Sequence, residues 1–270
     1  MNGDFLFSPS GRLFATGMTN GLLRVWDLNQ RTLVHEFPTG ARNFRPAAFS
    51  TDETRVWLLQ ADGDADRRSM LTEWDLRTHR RLRSIQGCRG QYLTLHPDDW
   101  LFWKSGDGAL VFHDLRTGQA SHPGLAPGRL APLIAFPSTS PAGDVLVLGH
   151  EFGPLTVWET ASFTQGAGPR RVKILEGAMG NFGDSAFSTD GTRLLGGSHG
   201  TEAIKIWETR AYHELLTLEG AGGWFSNLGL SADGRLLGAL NYVGTLHCWH
   251  APTWEEIGDW EKADKGASGE

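Results

Sequence analysis

A Trp followed by an acidic residue, or a close variant of that pair, ends a hydrophobic run six times in this chain. Successive pairs are 48, 39, 45, 49 and 42 residues apart, so the sequence repeats about every 45 residues. A repeat of that length, with a turn signal at a fixed place, is typical of the blades of a β-propeller. The six pairs are Trp26-Asp27, Trp74-Asp75, His113-Asp114, Trp158-Glu159, Trp207-Glu208 and Trp249-His250.

Each repeat has the pattern of four short strands, which is clearest at 177–219. The first strand there ends at Thr189-Asp190-Gly191, where Asp and Gly suit a tight reversal of the chain. Apolar residues alternate from Ala203 to Trp207, which predicts a third strand, and Leu215 to Leu218 form the outermost one. The repeat therefore predicts four antiparallel strands per blade.

We predict an all-β fold, a β-propeller of six four-stranded antiparallel blades, with an incomplete seven-bladed propeller as the alternative. One domain is expected over residues 1–262, and the tail at 263–270 is polar and expected to be disordered. No blade should be stable alone, because its apolar faces are covered only by its neighbours. The repeats are expected at about 3–38, 44–87, 91–125, 131–176, 182–219 and 225–260.

The composition excludes several classes of partner. The net charge of −6 argues against binding to a nucleic-acid backbone, which needs clustered cations. Cys88 and Cys248 lie in different repeats and predict no disulfide framework, which indicates a reducing compartment. There is no long apolar span, and the first five residues lack the basic start of a secretory signal. We therefore expect a soluble, cytoplasmic protein without a membrane partner.

The repeated pairs and the ends of the first strands, such as Phe49-Ser50-Thr51-Asp52 and Phe187-Ser188-Thr189-Asp190, make the chain resemble the WD-repeat propeller family over roughly residues 3–262. That resemblance implies blades of the WD type and a role in binding other proteins. Residues 249–261 also resemble the terminal repeat of propeller arrays appended to bacterial serine/threonine protein kinases. This second resemblance implies a C-terminal regulatory propeller part of a signalling protein of the kinase-like type.

The chain departs from the family where each repeat usually opens with Gly-His. Here Gly40-Ala41, Gly177-Ala178 and Gly220-Ala221 stand at that place, and Ala has no group for the polar relay that joins His through Ser to Trp in the family. A network that lacks one member is better lost entirely than left half satisfied. We therefore expect apolar packing to stabilise the blades instead, with Phe44, Phe182 and Phe225 at the heads of their first strands.

The segment from Ala251 to Trp260 has two interpretations. Trp254 to Ile257 would form an outer strand that completes the sixth blade. Alternatively, Thr253 caps a short helix, and Glu256 three residues later forms a capping box with it. Both interpretations remain open from the sequence.

Two segments have residues that bind metals in other proteins. Asp62, Asp64, Asp66 and Glu73 have the spacing of a calcium loop, but Arg67 stands where such a loop needs Gly. His247 and Cys248 are adjacent in a strand and therefore point to opposite faces of the sheet. We expect no metal site and no cofactor, and 62–66 is interpreted as a solvated acidic insertion.

Basic residues are concentrated in the second repeat. They are expected to lie on a solvated outer strand, in preference to a patch that binds an acidic partner, because charged outer strands protect a sheet edge from aggregation. The residues are Arg77, His79, Arg80, Arg81, Arg83 and Arg89.

No phosphate loop, nucleophile elbow or pair of catalytic carboxylates is present, so we expect no catalytic residues and no enzymatic activity. The leading hypothesis is a non-catalytic scaffold or sensor that binds a protein or peptide through loops on one propeller face. The alternatives are the kinase-associated regulatory propeller, a propeller enzyme with acid and base groups at the channel, and a truncated fragment without function. The candidate binding residues are Asn20, Arg42, Arg89, Met179, His199, Trp224 and Tyr242.

Overall fold

The protein folds into six antiparallel β-sheets in a computed structural model. The structure describes residues 5–41, 44–61, 69–86, 93–96, 99–104, 110–121, 134–150, 154–164, 170–175, 182–198, 203–220, 225–231, 233–241, 243–253 and 255–258.

Each sheet contains strands that follow one another in the chain, so every sheet is one blade. Blade 1 contains β1 (Phe5–Phe7), β2 (Leu13–Gly17), β3 (Leu22–Asp27) and β4 (Thr32–Pro38). Blade 2 contains β5 (Phe44–Phe49), β6 (Arg55–Ala61), β7 (Ser69–Asp75) and β8 (Arg80–Gln86). Blade 3 contains β9 (Leu93–His96), β10 (Trp100–Lys104), β11 (Leu110–Asp114) and β12 (Ala120–Ser121).

The second half of the chain repeats this arrangement. Blade 4 contains β13 (Ile134–Thr139), β14 (Val145–His150), β15 (Leu155–Glu159) and β16 (Arg171–Leu175), with a short helix α1 (Thr160–Thr164) before β16. Blade 5 contains β17 (Phe182–Phe187), β18 (Arg193–Ser198), β19 (Ala203–Glu208) and β20 (Glu214–Glu219). Blade 6 contains β21 (Phe225–Leu230), β22 (Leu236–Asn241) and β23 (Leu246–His250).

The predicted six-bladed, almost all-β propeller is confirmed. The first strands of successive blades pack side by side, from β1 against β5 through to β17 against β21. Blades 1 to 5 have four strands in the order of the chain, whereas the sixth has three within the described residues. None of the helical segments in the described ranges is long and apolar enough to cross a membrane.

Of the two interpretations of the segment that follows β23, the capped helix is the one found, and residues 255–257 do not form an outer strand. Residues 255–258 form one helical turn. The Thr253 amide donates to Glu256 Oε2 at 2.6 Å, and the Glu256 amide donates back to Thr253 Oγ1 at 3.2 Å. This reciprocal capping box satisfies two amides that an extended strand would have had to pair elsewhere. Arg235 Nη2 lies 2.5 Å from the Glu256 carboxylate and ties the turn to the start of β22.

Apolar side chains fill the space between successive blades. We call the face of a blade that packs onto the following blade its forward face, and the opposite one its rear face. Between blades 1 and 2, the forward face of β2 and β3 meets the rear face of β6 and β7. Four further clusters of the same kind join blade 2 to 3, 3 to 4, 4 to 5 and 5 to 6.

The repeated Trp residues lie on the rear faces, where Trp74, Trp158 and Trp207 are buried as expected for core residues. Two of these indoles also make a polar contact that the sequence analysis did not predict. Trp74 Nε1 donates to Thr72 Oγ1 at 3.0 Å, and Trp158 Nε1 donates to Thr156 Oγ1 at 2.9 Å. The Thr two positions before the Trp points to the same side of the strand, so it supplies the acceptor locally.

The predicted aromatic contribution at the heads of the first strands is found where the structure describes it. Phe225 is fully buried between blades 5 and 6, and Phe44 packs against the cluster between blades 1 and 2. The side chain of Phe182 lies outside the described residues.

Candidate functional site

The antiparallel strand order gives the propeller two unlike edges. One edge carries the β2–β3 loop, the segment after β4 and their equivalents in the other blades. We call it the loop edge. The opposite edge carries the β1–β2 and β3–β4 turns, and we call it the turn edge. At the loop edge of blade 1, the Thr39 amide and hydroxyl both donate to the Gly21 carbonyl, at 2.9 and 3.1 Å. This pair of bonds joins the two kinds of loop.

The turn edge is fixed by a Ser at the end of the first strand in five blades. Its hydroxyl accepts the amide of the residue five positions later at 2.9–3.1 Å. In four of these blades the same hydroxyl donates to a nearby Asp at 2.5–2.6 Å. The hydrogen bond from Ser188 is the largest of the effects that lower the pKa of Asp190 to about 2. The five residues are Ser8, Ser50, Ser140, Ser188 and Ser231.

The acidic residue of the Trp-Asp pair belongs to the same edge. Asp27 Oδ1 accepts the Gln30 amide at 2.9 Å, and Asp75 Oδ1 accepts the Thr78 amide at 2.6 Å. Glu208 caps its turn in the same way, at 3.0 Å from the amide of His213. In all six blades an amide two residues after the Trp position donates to a carbonyl of the β1–β2 turn at 2.7–3.1 Å. The acidic residues of these pairs therefore stabilise the β3–β4 turns and their equivalents.

Of the seven predicted binding residues, the structure describes Asn20. Asn20 is exposed at the loop edge, and its Oδ1 accepts the Leu22 amide at 3.2 Å, which closes the β2–β3 turn. The other six lie outside the described residues, and they are Arg42, Arg89, Met179, His199, Trp224 and Tyr242.

Two buried donors near the loop edge have no acceptor, and the sequence did not indicate them. Gln60 Nε2 and Trp103 Nε1 make no hydrogen bond to any residue within the described ranges. Gln60 pairs with Phe44, the first residue of β5, and Trp103 pairs with Leu93, the first residue of β9, so both lie at the loop-edge ends of their blades. A buried donor without a partner costs about 1–3 kcal/mol. The sequence carries no signal for either donor, because both residues sit in apolar runs.

The basic run of blade 2 is divided between solvent and an ion-pair cluster. Arg77, Arg80 and Arg81 are exposed, as predicted for a solvated outer strand. Arg83 points inward, where its guanidinium contacts the buried Glu73 carboxylate and the Leu115 carbonyl of blade 3. The prediction that the run is solvated is therefore wrong for Arg83, because that position lies on the forward face of β8.

Glu73 also pairs with Arg55 at 3.0 Å, so two guanidinium groups neutralise its buried carboxylate. The remaining residues of the acidic insertion, 62–68, lie outside the described residues. Within the described part of the chain, no three His, Cys, Asp or Glu side chains gather into a group that could hold a metal ion. The arrangement around Glu73 joins blade 2 to blade 3.

Two imidazoles meet at the outer boundary between blades 1 and 2. His35 Nδ1 of β4 lies 3.2 Å from His79 Nε2, and the His79 ring stacks on Phe37 with ring centroids 4.6 Å apart. Burial, followed by the neighbouring His79, lowers the pKa of His35 below its usual value. The pair is therefore favoured while His35 is neutral.

Comparison with known proteins gives two weak similarities. The nuclear distribution protein PAC1 of Arthroderma otae is 26% identical over 253 residues, which cover 91% of this chain and 48% of that protein. Transducin beta-like protein 3 of Bos taurus is 28% identical over 169 residues, which cover 58% of this chain and 20% of that protein. The chain thus matches about half of the length of the first relative and a fifth of the second. No protein-family model matches the chain.

The resemblance to kinase-appended arrays is not tested by either relative and stays a prediction. The six-bladed fold and the two similarities together support the placement of this chain among the WD-repeat propellers.

Proposed function

We propose that this chain is a non-catalytic protein-interaction scaffold whose loop edge binds a protein or peptide. The observation that carries the proposal is the difference between the two edges. The turn edge is tied down in every blade by hydrogen bonds between its own turns. Variation at the loop edge leaves that frame intact, which is how loops on a rigid scaffold acquire binding functions.

The binding residues follow from residue type. Trp and Arg are the usual anchors of interfaces, because each combines a large contact area with directed polar groups. We assign these roles to Trp224 and Arg89, with Arg42, Met179, His199 and Tyr242 around them and Asn20 at the rim.

The mechanism is rigid display. Apolar clusters hold neighbouring blades in a fixed relation, and a fixed scaffold lowers the ordering cost of binding. The similarity to WD-repeat proteins supports a protein partner over a small-molecule substrate. We place this activity in the cytoplasm, in keeping with the expected reducing compartment.

Site-specific photo-crosslinking tests the proposal. A photoreactive amino acid is placed at Trp224 or Arg89, and for comparison at Asp52 or Asp233 on the turn edge. The crosslinked protein is identified by mass spectrometry, purified, and titrated with the unlabelled chain. We expect crosslinks from the loop edge, and a loss of affinity of about tenfold or more on Trp224→Ala or Arg89→Ala. Unchanged affinity in both variants, or crosslinks confined to the turn edge, would show that the wrong edge has been assigned.

A further inference from the structure

The five interfaces between neighbouring blades have the same arrangement. The first and the last face in the series have no such interface within the described residues. Each interface joins a forward face to the rear face of the next blade. Blade 1 has a rear face and blade 6 has a forward face for which the described residues form no such cluster. Equivalent positions in the six blades show how different these two faces are.

The exposure of the forward face can be compared between blades at one equivalent position. That position lies three residues before the repeated Trp, or before His113 in blade 3. In blades 1 to 5 this residue is almost completely buried, at 0–1% exposure. In blade 6 the equivalent residue, Leu246, is 63% exposed. Leu236 and Val243 are also exposed around it, at 45% and 70%. The buried residues at this position are Leu23, Leu71, Leu110, Leu155 and Ile204.

In blade 1 it is the rear face that is exposed. Phe7 pairs across β2 and β3 with Phe14 and Trp26, as Phe49 pairs with Val56 and Trp74 in blade 2. Phe49 is 4% exposed, whereas Phe7 is 51% exposed.

The neighbouring aromatic and aliphatic residues extend the open rear face. Phe5 contacts Phe7 and Phe14, with ring centroids 5.7–6.0 Å apart, so the aromatic rings form one patch. Leu28 is also exposed, although its equivalent in blade 2, Leu76, is buried.

We propose that the open forward face of blade 6 docks onto the open rear face of blade 1 in a second copy of this chain. The chain already contains five interfaces between a forward and a rear face, and its two open faces are of these opposite kinds. Burial of large apolar side chains favours association, and each face offers several such side chains. Arg24 and Glu36 in blade 1 form an ion pair at 2.6 Å, so their charges balance.

Such an interface is heterologous, because it joins two different surfaces. Every added copy leaves one forward and one rear face free, so association continues until a ring closes or a chain of copies grows. The contact is centred on strand residues of blades 1 and 6, although Val243 also belongs to the loop edge. It would also place several loop edges in one assembly.

Two single variants block the two faces separately. Leu246→Lys places a charge on the forward face of blade 6, and Phe7→Lys does so on the rear face of blade 1. Both side chains are more than half exposed, so the substitutions leave the blade interior intact. Sedimentation velocity is measured over a wide concentration range with reductant present, because the exposed thiol of Cys248 lies beside Leu246 in β23.

The wild-type chain is expected to form species that grow with concentration, and each variant alone is expected to remain a monomer. A mixture of the two variants is expected to give a dimer that grows no further, because Phe7→Lys retains the forward face and Leu246→Lys retains the rear face. Non-specific association of apolar patches would not give this complementation.

Leu215→Lys is the matched control, since Leu215 is half exposed on the outer strand β20. It is expected to associate as the wild type does. If one of the blocking variants fails to fold, Leu236→Lys or Phe5→Lys replaces it on the same face. A wild-type chain that stays monomeric at every concentration, or a mixture without dimer, would overturn the proposal.

Discussion

The indole Nε1 of Trp74 donates to the hydroxyl of Thr72 at 3.0 Å, and that hydroxyl in turn donates to the Leu58 carbonyl of the neighbouring strand at 3.3 Å. Trp158 and Thr156 repeat this arrangement in blade 4. A Thr within the same strand therefore satisfies the buried indole in blades that lack the Gly-His opening. The relay is shorter than the family's, and it needs no residue from the loop edge.

Thr72→Val tests the importance of this relay. Val has the same shape but no hydroxyl, so the buried Trp74 N–H loses its acceptor, which is expected to cost about 1–3 kcal/mol of unfolding free energy. Chemical denaturation measures the loss. In a Trp74→Phe background the same substitution should cost distinctly less, because no indole donor remains to be satisfied. Equal costs in both backgrounds would mean that the hydroxyl acts through the Leu58 carbonyl or through packing, and not through the indole.

A second prediction concerns Glu73, whose buried carboxylate pairs with Arg55 and Arg83 between blades 2 and 3. Glu73→Gln leaves two guanidinium groups without their counter-charge, and removal of one partner from a buried ion pair costs about 3–5 kcal/mol. Because both Arg side chains keep some contact with solvent, we expect a loss near the lower end, about 3 kcal/mol. The loss is read from urea unfolding.

Glu36→Gln is the control for that measurement. Glu36 pairs with Arg24 at 2.6 Å, but both groups are exposed, so the substitution should cost less than about 1 kcal/mol. A similar small loss for Glu73→Gln would contradict the assignment of the Glu73 cluster as the link between blades 2 and 3.

The sequence predicted the blades because their period and alternation are properties of the chain itself. The exposed state of Leu246 could not be predicted in this way, because its local sequence resembles that around Ile204 and only its neighbours differ. The inward position of Arg83 could not be predicted for a related reason, since one of its partners, the Leu115 carbonyl, belongs to the next blade. The Ser caps could have been found, because a Ser five residues before the second strand recurs at a fixed place.

The candidate binding site was the least predictable part. Trp224 and Arg89 were chosen by residue type and by loop position, and neither property determines which side chains meet. Gln60 and Trp103 show the same difficulty, since a missing acceptor is a property of three-dimensional surroundings.

A third prediction concerns acid stability at the turn edge. The pKa of Asp190 is lowered from 3.8 to about 2, first by the Ser188 hydroxyl and then by the Thr192 amide. A carboxyl with a lower pKa in the folded state contributes stability above pH 3.8, and that contribution is lost as the pH falls toward 2. Ser188→Ala should raise the pKa of Asp190 toward 3.8 and flatten this part of the stability profile.

The carboxyl carbon shift of Asp190, followed by NMR during acid titration, measures this pKa directly. Ser231→Ala removes the equivalent cap in blade 6 and should leave the titration of Asp190 unchanged. If Ser188→Ala also leaves it unchanged, the Thr192 amide and not the Ser hydroxyl holds the proton affinity down.

The last prediction concerns His35 and His79, whose ring nitrogens lie 3.2 Å apart between blades 1 and 2. Burial is the larger cause of the lowered pKa of His35, and the charge on His79 is the second. A His with a lower pKa in the folded state is protonated more readily after unfolding. The resulting stability is therefore complete above pH 6.5 and is lost as the pH falls below that value.

His79→Ala should raise the pKa of His35 only part of the way to 6.5, because the larger effect of burial remains. It should also reduce the dependence of unfolding free energy on pH below 6.5, which denaturation at several pH values measures. His213→Ala, at an exposed imidazole in blade 5, is the control. It should alter neither the titration of His35 nor the dependence of the unfolding free energy on pH below 6.5. An unchanged His35 titration in His79→Ala would contradict the coupling, since two imidazoles in hydrogen-bonding contact cannot both take up a proton without repulsion.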